Sequence, residues 1–481
     1  MNNELKKKTL SGVFFKSVER MSVQLVSLIV SIILARLLLP SDYGTIVMAN
    51  VLLEVLTVFV NYGLGTAIVH NKDATQKDIS TCFWASLLLA AFLYAIVFLC
   101  APLLAAYFET DALVLLTRIM GVQIFFLTIS SVQSALIAKR FMYKQLLVIT
   151  LIANIISGAV GIAFAYRGYG VWSLAIQSLI STGLTTLLSS IPLRWKPSFT
   201  FSIKSLKSQI SYSWKLLLVG FADCLYAEAR NIIITKKYSS ESLAFYNKGA
   251  QFPKLISNTI NQSIISVLFP SMSLIQDDNK KILEFVKRAL SFLTFVLFPV
   301  LIGLLSVSDK LVLLLLTEKW LPCVPYMQIL CLAYLITPLQ SVYKQALKAI
   351  DQVKTLSIIN IFEKVIGLAL LAAAIPFGIE AICWSFVLYH IIGLFLYMGS
   401  GCRFYSYTFL SQIKDLLPNI LCTMIMVLSV FLVRLVPVSH ALSLMIQVLV
   451  GALAYITTAF IIKNPNTLAI IALLQRLKTK E

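Results

Sequence analysis

Charged side chains inside long apolar stretches are the residues of this sequence that could most readily do chemistry. The first such stretch, residues 11–37, carries Lys16, Glu19 and Arg20 near its start. A charge at the centre of a membrane helix costs about 2.5–3.5 kcal/mol on insertion scales. Ammonium and guanidinium groups bind anions through charge-assisted hydrogen bonds. The pattern therefore favours a helix face that meets water and an anion rather than lipid.

Polar residues recur at helical spacing in four stretches. Because successive helical residues turn by about 100°, Lys16, Arg20 and Gln24 share one face of the first stretch. The second, seventh and eighth stretches have similar polar faces, and we expect all four to line one water-filled cavity. The predicted substrate-binding residues are Lys16, Arg20, Gln24, Glu54, Asn61, Lys215, Tyr226, Lys254 and Asn258.

Simpler explanations exist for two of these charges. Lys16 lies near the end of its stretch, from which a lysine can extend its ammonium group to the membrane surface. Glu19 could merely pair with Lys16 on the preceding turn. Arg20 lies one turn deeper and is harder to explain without a polar cavity.

The elements that position these residues follow from composition. The chain is 59% hydrophobic and 13% charged, against about 25% charged residues in soluble proteins, which predicts an all-α, polytopic membrane protein. Fourteen apolar segments have the length of about 20 residues that a membrane helix needs. They lie near residues 11–37, 44–66, 81–106, 113–137, 145–166, 170–192, 209–235, 242–270, 284–306, 322–345, 354–375, 380–404, 416–436 and 440–462.

The distribution of loop charges predicts the orientation. If the N-terminus is cytoplasmic, the segments that fall on the inside hold most of the loop Lys and Arg, as the positive-inside rule requires. Both termini are therefore expected in the cytoplasm, and the net charge of +19 needs no nucleic-acid partner. The first apolar stretch is too long for a signal peptide, which predicts an uncleaved first span.

An internal repeat predicts two halves. The segment around Lys16 resembles the segment around Lys215, and both begin in the same predicted compartment. Two six-helix halves with a substrate site between them are a common transporter plan. The predicted domains are an N-terminal lobe at 1–193, a basic cytoplasmic interfacial linker at 194–208, a C-terminal lobe at 209–405, and two further helices with a cytoplasmic tail at 406–481.

Two motifs add a family resemblance. The segments "LARLLLPSDYG" and "LTEKWLP", the fourteen spans and the paired halves resemble the polysaccharide transporter family, the Wzx-type branch of the multidrug/oligosaccharidyl-lipid/polysaccharide flippase superfamily. The resemblance implies a V-shaped pair of lobes in the bacterial cytoplasmic (inner) membrane. It also implies alternating-access flipping of polyprenyl-pyrophosphate-linked oligosaccharide to the outer leaflet for lipopolysaccharide, capsule or exopolysaccharide synthesis. The basic residues would then bind pyrophosphate, and the amide and hydroxyl groups would bind the glycan.

Two other functions are alternatives to flipping. A multidrug antiporter of the same superfamily would be expected to have an acidic cavity, whereas this one is predicted to be basic. A membrane enzyme would need a sizeable outer loop, and the longest predicted outer connection is residues 307–321. The sequence contains no GxxxxGK[ST] motif for ATP. We expect no cofactor, and the expected partners are the lipid bilayer, the lipid-linked oligosaccharide, a glycan polymerase and glycosyltransferases.

The drive for transport would then come from an ion gradient or the substrate gradient. The resemblance implies a cation between helices of the second half, and the candidate ligands are Asp223, Asn360 and Glu363. Carboxylate and amide oxygens suit a hard cation such as sodium, and a buried carboxylate also invites a proton. The alternative is internal ion pairing of Asp223 with Lys215 or of Glu363 with Lys364.

Overall fold

The computed structural model describes residues 3–61, 68, 75–273, 275 and 278–467, and throughout these residues the regular elements are helices. The all-α prediction is therefore confirmed. The described α-helices are α1 (Asn3–Leu37), α2 (Pro40–Asn61), α3 (Gln76–Phe108), α4 (Ala112–Gly121), α5 (Gln123–Lys139), α6 (Tyr143–Tyr166), α7 (Val171–Leu193), α8 (Ile203–Lys237), α9 (Ser240–Ser273), α10 (Asn279–Leu315), α11 (Val324–Ala349), α12 (Val353–Ala374), α13 (Ile379–Tyr405), α14 (Phe409–Arg434) and α15 (His440–Ile461).

Twelve helical stretches among the described residues are long and apolar enough to cross a membrane. The predicted fourth span consists of two helices, α4 and α5, which meet at Val122. Helices α8 and α9 coincide with predicted spans seven and eight, and they carry more polar residues than the twelve candidate spans. The predicted outer connection at 307–321 is wrong in extent, because α10 continues to Leu315 and a 3-10 helix follows at Glu318–Cys323.

The chain folds into two compact units, Met1–Ala244 and Phe245–Glu481. In the first unit, α1 lies parallel to α6. The Ser27 hydroxyl is 3.4 Å from Asn154 Oδ1, and Gly158 lies against Val30 so closely that a Cβ atom would come within 2.5 Å of a valine methyl group. Small residues at such crossings let membrane helices approach closely.

Helix α2 packs antiparallel to α8 in the same unit. Its first turn is the PSDYG motif, in which Asp42 accepts a hydrogen bond from the Leu39 backbone N–H at 3.0 Å. Gly44 lies against the backbone carbonyl of Ser240 and leaves no room there for a Cβ atom. At the other end of the pair, the Phe59 and Phe221 rings meet edge to face at 5.7 Å. The motif is therefore a helix start and a close-packing site.

An irregular segment, residues 194–202, connects α7 to α8. It is fixed to the start of α3: Trp195 donates its indole N–H to Gln76 at 2.7 Å, and the Ser198 backbone N–H donates to the Ser80 hydroxyl at 3.0 Å. These bonds satisfy polar groups of a segment that has no regular structure of its own.

The second unit contains a buried amide network that joins three elements. Asn419 on α14 donates to the Ser291 carbonyl at 2.8 Å and to the Thr294 hydroxyl at 2.7 Å, both on α10. Asn464, which follows α15, donates to Asn419 Oδ1 at 2.7 Å. Because unpaired amides are costly in an apolar interior, this network fixes how α10, α14 and the end of α15 pack together.

Candidate functional site

The polar face of α1 is present in the structure, with one of its cations already paired. Lys16 is half-buried, and its ammonium group donates to Glu19 at 2.8 Å. Glu19 is buried, which confirms the simpler explanation that it pairs with Lys16. Arg20, which follows Glu19 directly, is exposed, and Gln24, one helical turn after Arg20, is half-buried. Of Lys16 and Arg20, Arg20 is therefore the cation better placed to meet an anion.

The α2–α8 pair brings a second group of polar residues together in the first unit. Glu54 and Asn61 of α2 are exposed, and Glu54 lies within electrostatic range of Cys224 on α8. Asp223 of α8 is exposed. Tyr226 is half-buried, and the guanidinium group of Arg230 lies 5.0 Å from its ring centroid. A cation over a tyrosine ring is a favourable electrostatic contact.

Lys215 occupies a helical position in α8, but its side chain lies outside the described residues. The predicted Asp223–Lys215 pair therefore stays a prediction.

In the second unit, Lys254 and Asn258 lie one turn apart on α9, and both are exposed. The adjoining face of α9 is fixed in place, because the Ser257 hydroxyl donates to the Tyr334 carbonyl of α11 at 2.7 Å. Further towards the start of α9, Lys248 is buried with its ammonium group 5.5 Å from the Trp320 ring. The exposed pair presents one cation and one amide on the same face of α9.

Among the described residues of the second unit, the most buried charged side chain is Glu363 on α12, which is 2% exposed. Its carboxylate oxygen Oε2 lies 3.8 Å from the Lys344 ammonium group on α11. The other oxygen, Oε1, accepts no hydrogen bond of normal geometry from the described residues, although Gln340 and Tyr389 adjoin the carboxylate. This orphaned oxygen could take a proton or a cation.

Further polar groups surround this carboxylate, and we call the set of Gln340, Lys344, Asn360, Glu363, His390 and Tyr397 the Glu363 cluster. The Gln340 amide donates to the His390 carbonyl at 2.8 Å, and its oxygen lies 3.4 Å from the His390 ring nitrogen Nδ1. Tyr397 donates to Asn360 Oδ1 at 2.7 Å. Gly393 faces Glu363 and Gln340 so closely that a Cβ atom would collide with both.

The structure therefore brings two of the three candidate ion ligands, Asn360 and Glu363, into one buried cluster. Asp223 belongs to the other unit. The structure shows an ion pair between Glu363 and Lys344, and its sequence neighbour Lys364 also interacts electrostatically with the Glu363 carboxylate. Sequence reasoning did not identify Gln340, Lys344 or His390. The spacing of Gln340 and Lys344, four residues apart in an apolar stretch, was the available signal.

No group of three or more His, Cys, Asp and Glu side chains within the described ranges could hold a metal ion. All eight cysteines have free thiols, and five of them are buried. They act as small apolar side chains in the packing of the two units.

The part of the chain that the structure describes has twelve candidate spans, with charged side chains buried among them. These features define the class, which is a multi-pass helical membrane protein with polar sites inside its units. Residues 33–325 match the family described as polysaccharide biosynthesis protein, and the chain belongs to that family. The resemblance noted from the sequence motifs is therefore confirmed.

Two named relatives match about 70% of this chain. The teichuronic acid biosynthesis protein TuaB of Bacillus subtilis (strain 168) is 24% identical over 340 residues, 70% of each chain. The lipopolysaccharide biosynthesis protein WzxC of Escherichia coli (strain K12) is 22% identical over 338 residues, 69% of this chain and 68% of WzxC.

Among solved structures, the lipid II flippase MurJ in an inward closed conformation matches with a TM-score of 0.80, at 18% identity, over 94% of this chain and 98% of its own. An inward-facing multidrug resistance MATE family transporter matches with a TM-score of 0.61, at 14% identity, over 82% of this chain and 99% of its own. These two likenesses show that the fold is shared.

Proposed function

We propose that this protein is a flippase that moves polyprenyl-pyrophosphate-linked oligosaccharide from the cytoplasmic to the outer leaflet of the bacterial inner membrane by alternating access. The observation that carries the proposal is the exposure of two cations, Arg20 and Lys254, on helices that occupy predicted spans one and eight. The names of TuaB and WzxC, both polysaccharide biosynthesis proteins, support the substrate class. The MurJ fold supports a flippase.

The residue chemistry fits a charged lipid headgroup that carries sugars. Arg20 and Lys254, with Lys215 as a third cation, would bind the pyrophosphate through charge-assisted hydrogen bonds. Gln24, Glu54, Asn61, Tyr226 and Asn258 would bind sugar hydroxyls. Lys16 would contribute less to anion binding than the other cations, because Glu19 already neutralises it.

The membrane arrangement that we propose has fourteen spans with both termini in the cytoplasm. Helices α8 and α9 would supply spans seven and eight in addition to the twelve apolar stretches. A polar helix can cross a membrane when its charged groups face a water-filled cavity instead of lipid. The polar residues of α8 and α9 would therefore mark the helices that line the substrate path.

The Glu363 cluster is the site at which we propose that transport is coupled to an ion, either sodium or a proton. The buried oxygen Oε1 of Glu363 has no hydrogen bond of normal geometry within the described residues, and such a carboxylate oxygen is a suitable acceptor for either ion. Lys344 competes with the ion, because its ammonium group already partly neutralises the carboxylate. Asp223 remains the candidate ion ligand of the first unit.

Polymer export in cells tests the function. Arg20→Ala should abolish export by a strain that depends on this protein, and lipid-linked oligosaccharide should accumulate in its cytoplasmic leaflet. The matched control is Arg36→Ala, which removes an exposed arginine from the other end of the same helix and should leave export intact. Normal export by Arg20→Ala, at a normal protein level in the membrane, would contradict the proposed role of Arg20.

A further inference from the structure

A lateral groove in the first unit is separate from the proposed substrate and ion sites. It lies between α6 and α7 and has a volume of about 470 Å³. Its walls are apolar and its end near the start of α6 is polar. The lining residues are Lys144, Gln145, Val148, Ile149, Ile152, Leu188, Ile191 and Pro192.

The walls of this groove are open to the surroundings of the protein. Val148 is 50% exposed and Ile191 is 68% exposed, and both belong to helices that are candidate membrane spans. Exposed apolar side chains on candidate membrane spans favour contact with hydrocarbon, and a lipid chain along these side chains would displace no part of the protein.

The polar end of the groove concentrates positive charge. Lys144 is exposed, and it has no hydrogen bond or ion pair with the described residues. Arg140 lies at the same end, because its guanidinium group donates to the Leu193 carbonyl of α7 at 2.7 Å. Arg194 follows directly after α7 and is exposed. Residues 139–152 and 186–198 contain no Asp or Glu to neutralise these cations.

We propose that this groove binds an anionic phospholipid of the leaflet in which the α6 start lies. The phosphate would contact Lys144 with Arg140 and Arg194 nearby, and an acyl chain would follow Val148, Ile152 and Ile191. Basic pockets between membrane helices bind anionic headgroups in this way. The combination of a basic end and an apolar wall matches an anionic glycerophospholipid, whereas a neutral phospholipid would leave the cations uncompensated.

Charge variants test the headgroup contact. The purified full-length protein is incubated in detergent with phosphatidylglycerol or phosphatidylcholine, and the bound lipid is counted by native mass spectrometry. Each cation near an anionic headgroup changes binding about fivefold, so Lys144→Ser/Arg194→Ser should weaken phosphatidylglycerol binding roughly 30-fold. The matched control is Lys204→Ser/Lys207→Ser, which removes two exposed cations near the start of α8 and should keep the phosphatidylglycerol bound.

A groove-filling variant tests the acyl-chain contact. Val148→Trp places a large ring in the groove and keeps every cation, so it should displace phosphatidylglycerol while a melting curve shows that the protein is still folded. Equal binding of both lipids by the wild type would overturn the proposal, and so would equal losses in the two charge variants. Preferential displacement of phosphatidylglycerol by a polyprenyl phosphate would assign the groove to the substrate instead. All of these readouts are independent of flipping activity.

Discussion

The structure makes a sharp prediction for a variant that removes Lys344 and keeps Glu363, namely a loss of stability of the second unit. Two unit charges about 4 Å apart attract by about 4 kcal/mol at an effective dielectric constant of 20, and the closest atoms of this pair are 3.8 Å apart. Lys344→Met leaves the Glu363 carboxylate buried without its counter-ion. Removal of one partner of a buried ion pair destabilises a protein by about 3–5 kcal/mol. Because the Lys344 side chain is 30% exposed, we expect the lower end, about 3 kcal/mol.

The double variant separates ion pairing from packing. Lys344→Met/Glu363→Gln removes both charges and keeps side chains of similar length, and replacing both partners of a buried pair is often close to neutral. A loss of about 3 kcal/mol lowers the melting temperature of a unit of this size by about 6–12 °C. We therefore expect a clear fall for Lys344→Met and a value near that of the wild type for the double variant.

A thiol-reactive dye can follow this melting, because Cys331 and Cys383 are buried in the same unit and become reactive only on unfolding. Lys348→Met is the matched control: it removes an exposed lysine one turn further along α11 and should change the melting temperature little. If Lys344→Met melted like the wild type, or if the double variant melted as low as Lys344→Met, the ion-pair reasoning would be refuted.

Three further predictions test other parts of the account. Gly44→Ala should destabilise the first unit by about 1–3 kcal/mol, because the added Cβ atom would collide with the Ser240 carbonyl. The control is Gly303→Ala, whose added Cβ atom would have no neighbour closer than 3.8 Å. This control should be tolerated in the same melting assay. Lys236 donates to Glu109 at 2.9 Å and lowers the pKa of this carboxyl group. The ion pair therefore stabilises the protein above the ordinary carboxyl pKa, and this stabilisation is lost as the pH falls through the lowered pKa of Glu109. The difference in melting temperature between the wild type and Glu109→Gln should therefore vanish in acid. A difference that persisted unchanged would exclude the ion pair as its cause. Glu363→Gln should flip substrate down its own gradient and ignore an imposed sodium or proton gradient in proteoliposomes, and a full response to that gradient would remove Glu363 from the coupling site.

The sequence was sufficient to predict features that depend on local pattern. Apolar length predicted the helices, and the spacing of Lys16 and Glu19 predicted their ion pair, because both partners lie on one helix. The PSDYG motif is similarly local, because the carboxylate of Asp42 accepts a hydrogen bond from the Leu39 backbone N–H three residues earlier. In each case the interacting residues are within four positions of each other.

Features that depend on partners far along the chain could not be predicted in this way. Asp309 and Lys310 fall within the predicted outer connection at 307–321, yet they lie inside α10. Asp309 pairs with Arg434 at 2.8 Å, and Lys310 donates to the Ser443 hydroxyl, so α14 and α15 compensate their polarity. The Glu363–Lys344 pair is of the same kind, because its partners lie on different helices.

The most direct test of the central claim is transbilayer movement measured with purified components. The protein is reconstituted in vesicles that carry a polyprenyl-pyrophosphate-linked oligosaccharide with a labelled sugar, and a membrane-impermeant glycosidase reports the label as it reaches the outer leaflet. The account predicts that wild-type vesicles, and those with Arg36→Ala, expose the whole labelled pool, whereas vesicles with Arg20→Ala expose little beyond the initially accessible half. Wild-type vesicles that behaved like protein-free vesicles would contradict the proposed function. Unimpaired movement with Arg20→Ala would contradict the proposed anion site.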